Sequence, residues 1–113
     1  MVVTELTTED KGKLDRLLEI VGMFAGLDKL MSISVLQAML VLSRHEGEET
    51  QTMAQRLGNS SGSLAMSLNE LGRGFGDRMG RPRYELVEVG PDRKRHLTPK
   101  GVEFRDRLLA LIP

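Results

Sequence analysis

Residues 53–71 read MAQRLGNSSGSLAMSLNEL, and this stretch narrows the fold of the chain more than any other. Ala54 is small enough for two helices to cross closely, and Gly58 can make a sharp turn between them. Leu57, Leu64, Leu68 and Leu71 recur at helical spacing, so both helices can be tied to one core. Ser60 stands where a side-chain oxygen accepts a hydrogen bond from a backbone N–H and caps the second helix. The N-terminus of that helix is then free to approach an anion. The pattern predicts a helix over residues 50–57, a break at Gly58 and Asn59, and a helix over 60–71.

Helical periodicity continues upstream. Thr8, followed by Glu9 and Asp10, reads as an N-cap with an acidic first turn, and Leu14, Leu17, Leu18, Val21 and Ala25 then form a single apolar stripe. Ser32 reads as the cap of a second helix. Its residues Ile33, Val35, Leu36, Ala38, Met39, Leu40, Val41 and Leu42 are apolar nearly all round, the pattern of a buried central helix. Downstream the period changes. Residues 84–89 read as a strand, Gly90, Pro91 and Asp92 as a turn, and residues 93–97 as a returning strand. Thr98 and Pro99 open a last helix containing Val102, Leu108, Leu109 and Ile112. The expected class is mainly α with a small β-hairpin (α+β).

A length of 113 residues allows one domain with a modest core. With no cysteine, there is neither a disulfide framework nor a thiolate to bind zinc or act as a nucleophile. The chain opens without the basic flank and apolar stretch of a signal peptide, and no apolar run is long enough to span a bilayer, so a cytoplasmic, non-membrane protein is expected. The net charge of zero conceals a polarity. Residues 1–49 sum to minus four and residues 73–100 to plus four, which can orient the approach to a polyanion. The acidic half should point away from it.

Several parts resemble MarR-type transcriptional regulators. They are the Met-Ala-x-x-Leu-Gly pattern with its serine-rich second helix, Leu71 and Gly72, a basic glycine-rich loop, and the sequence from Leu86 to Val89. Asp92, Arg93, Lys94 and Arg95 follow, then Leu97, Thr98, Pro99, Lys100 and Gly101. The similarity runs roughly from Ser32 to the C-terminus. It implies a winged helix-turn-helix occupying a single domain over residues 1–113: an N-terminal helix and linker (1–31), the helix-turn-helix and wing (32–101), and a C-terminal helix (102–113). It also implies a sequence-specific regulator of double-stranded DNA. Ser60, Ser61, Gly62, Ser63, Ala65, Met66 and Asn69 would face the bases, while Arg73, Arg78, Arg81, Arg83, Arg93, Lys94 and Arg95 of the loop and wing would meet phosphates or the minor groove. The second helix of the motif contains no Arg or Lys, so base reading should be mild and affinity should rest on loop and wing.

A homodimer on a pseudo-palindromic operator is expected, because two reading heads one DNA turn apart gain specificity. Only twelve residues follow Gly101, so the interface is assigned to Leu17, Val21 and Phe24 of the first helix with Leu108, Leu109, Leu111 and Ile112 of the last. His45 and His96 lie far apart without spaced carboxylates, so no metal site is expected. His96 reads as a surface or phosphate-facing side chain, and Glu46, Glu48 and Glu49 as a solvated turn. No catalytic set or cofactor fingerprint can be assembled, which argues against an enzyme and against any cofactor. The family allows a small-molecule effector, but nothing in these residues indicates one. Two alternatives stay open: a winged-helix protein-interaction module, and an accessory DNA-binding protein of a phage or plasmid.

Overall fold

The computed structural model describes residues 5–72 and 84–113. In chain order the elements are α1 (Thr8–Leu27), α2 (Ile33–Arg44), α3 (Thr50–Leu57), α4 (Ser61–Leu71), β1 (Val87–Val89), β2 (Arg95–Leu97) and α5 (Pro99–Ala110). The protein is mainly helical, with one small antiparallel hairpin. Helix α2 packs on α3 and α4, and the hairpin lies against α2, α4 and α5. The core between them is formed by Met39, Leu42, Met53, Leu64, Leu68, Leu71 and Leu86, all fully buried.

Local chemistry sets the helix ends. Thr7, rather than Thr8, caps α1: its hydroxyl accepts from the Asp10 N–H at 3.0 Å while the Asp10 carboxylate accepts from the Thr7 N–H at 3.3 Å. Ser32 and Ser60 cap α2 and α4 as their positions suggest. Gly58 takes the left-handed conformation, at φ 67°, that ends α3 and turns the chain into α4. The Asn59 N–H then closes the turn on the Ala54 carbonyl at 2.9 Å, with the Ala54 side chain buried at the crossing.

The start of α5 has a close-packing requirement. Thr98 accepts from the Gly101 N–H at 3.0 Å and Pro99 occupies the first turn. A Cβ on Gly101 would come within 2.1 Å of the Leu86 carbonyl oxygen, so only glycine lets the helix lie this close to the chain entering β1.

Three expectations change. The hairpin strands are shorter than the apolar pattern suggests, with Val87 opposite Leu97, Glu88 opposite His96 and Val89 opposite Arg95. Tyr84 and Leu86 lie before β1; Tyr84 is buried and its hydroxyl donates to Asp28 at 2.7 Å, while the Leu86 N–H bonds the Leu71 carbonyl at 2.8 Å. Helix α2 is buried on one side only, since Ile33 and Leu40 are exposed. The apolar stripe of α1 does not pack on the domain. Leu14, Leu17, Leu18, Val21 and Ala25 all face solvent, and α1 docks instead through Phe24, with Ile20, Met23 and Leu27 partly buried. Phe24 meets Phe104 of α5 edge to face, with ring centroids 5.2 Å apart.

This docking corrects the interface assignment. Phe24 and Leu108 are only 2% and 5% exposed and belong to the core, so neither can offer a contact surface. Leu17, Val21, Leu109 and Ile112 remain exposed, and Leu111 is partly so. Arg16 donates to the Leu111 carbonyl at 2.6 Å, which lays the middle of α1 beside the end of α5. Among the described residues, no helix is long and apolar enough to cross a membrane.

Candidate nucleic-acid interface

Helix α4 has two distinct sides. Leu64, Ser67, Leu68 and Leu71 face the core. Ser60, Ser61, Gly62, Ser63, Met66 and Asn69 are exposed, and Ala65 is partly so. The seven residues expected to face a partner therefore lie together on one open surface. Its donors and acceptors are three hydroxyls and one amide, and the partly buried Glu70, two turns after Ser63, borders it on the same side of the helix. The Ser60 hydroxyl is engaged with the Ser63 N–H at 3.1 Å, leaving those of Ser61 and Ser63 more open.

The hairpin stands beside this surface. Between β1 and β2 the Gly90 N–H bonds the Lys94 carbonyl at 2.8 Å and the Arg93 N–H bonds the Gly90 carbonyl at 2.9 Å. Arg93 and Lys94 thus belong to the turn and not to the second strand. Arg93 is exposed at the tip with φ 63°, in the left-handed region where a residue with a Cβ costs about 1–2 kcal/mol. Lys94 and Arg95 are partly buried. Arg73, Arg78, Arg81 and Arg83 lie outside the described residues.

Arg95 and Asn69 join the two surfaces. The Arg95 guanidinium donates from Nη1 to Asn69 Oδ1 at 2.7 Å. Both residues line a cleft of about 450 Å³ between α4 and the hairpin, together with Leu68, Gly72, Val87, Glu88 and Val89. Partial burial pushes the Arg95 guanidinium below its usual range, and it remains a cation because that range is so high.

The far side of the hairpin is tied to the acidic turn, a feature that sequence reasoning missed. Glu46 accepts from the Leu97 N–H at 2.7 Å, and its carboxylate lies 3.8 Å from His96 Nδ1. His96 Nε2 meets Asp92 at 2.9 Å. His96 is thus a partly exposed side chain, as a surface position implies, and it faces two carboxylates rather than standing open to phosphate. Glu48 takes a two-pronged pair from Arg56, at 2.7 and 3.1 Å, and sits 3.2 Å from His45. That pairing holds the Glu48 carboxyl below its usual range. The partly exposed turn at residues 46–49 is thus also a brace between α3 and the hairpin. The acidic run alone does not signal it, because Glu46 reaches a backbone N–H and His96 rather than an arginine or lysine of the hairpin.

Among the described residues, no group of three or more His, Asp or Glu side chains could hold a metal ion. No family model, curated protein or solved structure matches the chain.

Proposed function

We propose that the protein is a sequence-specific regulator of transcription that binds double-stranded DNA through a winged helix-turn-helix of the MarR-type kind. In this reading α3 and α4 are the helix-turn-helix, α4 lies in the major groove, and the hairpin is the wing. One observation carries it: the open face of α4 and the hairpin bearing Arg93, Lys94 and Arg95 stand side by side and are bonded to each other. A helix face bearing hydroxyls, an amide and the exposed Met66, flanked by cations, suits a groove with a phosphate rim.

The protein would act as a homodimer on a pseudo-palindromic operator with half-sites one turn, about 34 Å, apart. Support for the dimer comes from the unpacked stripe Leu14, Leu17, Leu18 and Val21 of α1, with Leu109 of α5 and Ile112 beyond its end exposed as well. Each aliphatic side chain of this size contributes about 1.5–3 kcal/mol when fully withdrawn from water, so a second copy covering the stripe would gain several times that. The reading also places the protein in the cytoplasm with its DNA, without a cofactor.

A gel shift on a pool of random duplexes tests it. Retention at low salt that weakens steeply as salt rises, followed by enrichment of an inverted repeat over rounds of selection, is the expected outcome. A pool that is never retained at low salt would refute the reading.

A further inference from the structure

The pair formed by Arg95 and Asn69 has a direction, and that direction bears on which base Asn69 can read. A guanidinium carries only donors, and an amide has a donor end and an acceptor end. Two donors cannot face each other, so the end of Asn69 turned to Arg95 must be Oδ1. The contact is short, at 2.7 Å, as expected when one partner is charged. Among the described residues, the Arg95 side chain bonds Asn69 and pairs with no carboxylate. An arginine serving only to meet phosphate would stand free in solvent, as Arg93 does at the tip.

We infer that Arg95 is a positioning residue for base readout, holding the Asn69 amide in one orientation so that it reads adenine in the major groove. The inference rests on the DNA-binding reading above. Asparagine recognises adenine with both ends at once, donating to N7 and accepting from the N6 amino group. Oδ1 has two lone pairs, and Arg95 occupies one. The other remains for the adenine amino group, and the amide nitrogen, turned from Arg95, remains for N7. Guanine offers acceptors at both N7 and O6, so Oδ1 held in this orientation would face O6 and be repelled. An amide without the clip could swing over and offer its nitrogen to either purine. Asn69 is exposed and follows Met66 by about one helical turn and Ser63 by about two, so it occupies the C-terminal end of the reading face.

The test is selection of bound duplexes from a randomised pool, carried out in parallel with the unmodified protein, Asn69→Ala, Arg95→Met, Arg95→Lys and Arg93→Ala. Arg95→Met keeps the aliphatic stem and removes every donor. The unmodified protein should show one position in each half-site where adenine is favoured about tenfold or more. Asn69→Ala and Arg95→Met should both flatten that position and leave the others unchanged. Arg95→Lys, which retains a donor, should restore part of the preference. Arg93→Ala should keep the preference and weaken binding to every sequence. In the DNA-free protein, the side-chain amide resonances of Asn69 should move on Arg95→Met, with the backbone amides of the core unmoved.

Uniform weakening by Arg95→Met with the adenine preference intact would overturn the inference and leave Arg95 a phosphate contact. An operator with no position sensitive to Asn69 would overturn it while sparing the DNA-binding reading. Failure of the unmodified protein to bind any duplex at low salt would end both.

Discussion

Two surfaces of this small protein face solvent for different reasons. The open face of α4 bears hydroxyls and an amide and has a cationic hairpin at its edge. The open face of α1 is a leucine stripe that stays exposed among the described residues. A helix normally buries its apolar stripe and exposes the rest. In α4 that rule holds, with three leucines and Ser67 inward and Ser61 and Ser63 outward. In α1 it fails, because the buried anchor is Phe24 and the leucines stay in water. The first surface is therefore complete and lacks only a polar partner, while the second is unfinished and calls for an apolar one.

The sharpest division lies within α1 itself. Phe24→Ala should cost about 3–5 kcal/mol of folding stability by opening a hole against Phe104. Leu18→Ala on the outer stripe, where the side chain is 71% exposed, should cost the monomer less than about 0.5 kcal/mol. Urea denaturation at low protein concentration separates the two, and equal losses would erase the distinction between the faces.

The next effect is on assembly. Leu17→Glu combined with Val21→Glu should shift the protein to monomer in sedimentation, while its unfolding midpoint in dilute solution stays nearly unchanged, since both side chains are exposed. Binding to an operator with two half-sites should fall tenfold or more, and binding to a single half-site should change little. A double variant that remains dimeric would move the interface off α1.

A smaller effect separates stability from binding at the hairpin tip. Arg93→Gly removes a left-handed strain of about 1–2 kcal/mol and adds about 0.5–1 kcal/mol of chain entropy to the unfolded state. The melting temperature should hold or rise slightly, while affinity for every duplex falls and the salt dependence lessens by about one phosphate contact. A loss of stability without a loss of affinity would make the tip structural.

The smallest effect is on acid tolerance. The Asp92 carboxyl is held below its usual 3.8, first by the Lys94 N–H and then by His96, and Glu48 below its usual 4.5 by Arg56. A carboxyl whose folded value is depressed stabilises the fold above its unfolded value and ceases to do so as pH falls through the folded one. Both groups are well solvated, so the loss should be slight and confined to pH below about 4.5. Asp92→Asn should reduce the drop in melting temperature between pH 5 and pH 3, and an unchanged drop would assign acid sensitivity to other groups.

Much of this architecture is legible in the sequence because it depends on local chemistry. Ser32, Ser60 and Thr98 announce their helices, Gly58 its turn, and the leucines of α4 their inward face. The open face of α4 follows from the same period. What could not be read there depends on contacts between distant residues. Periodicity cannot tell which side of α1 is covered, because both Phe24 and the leucine stripe are apolar. The brace from Glu46 to Leu97 and the bond from Asn69 to Arg95 join residues 51 and 26 positions apart. Charges that look solvated in sequence are paired once the chain closes. The need for glycine at position 101 is likewise set by the Leu86 carbonyl and not by its neighbours in α5.

The contrast between the two surfaces can be read in one titration. Backbone amide resonances of the protein would be followed as a short duplex, taken from the selected pool, is added at low salt. The account predicts that shifts concentrate on Ser60, Ser61, Ser63, Met66 and Asn69 of α4 and on Arg93, Lys94 and Arg95 of the hairpin, with Leu14, Leu17, Leu18 and Val21 of α1 unmoved. Shifts centred on the α1 stripe, or none on α4, would contradict it.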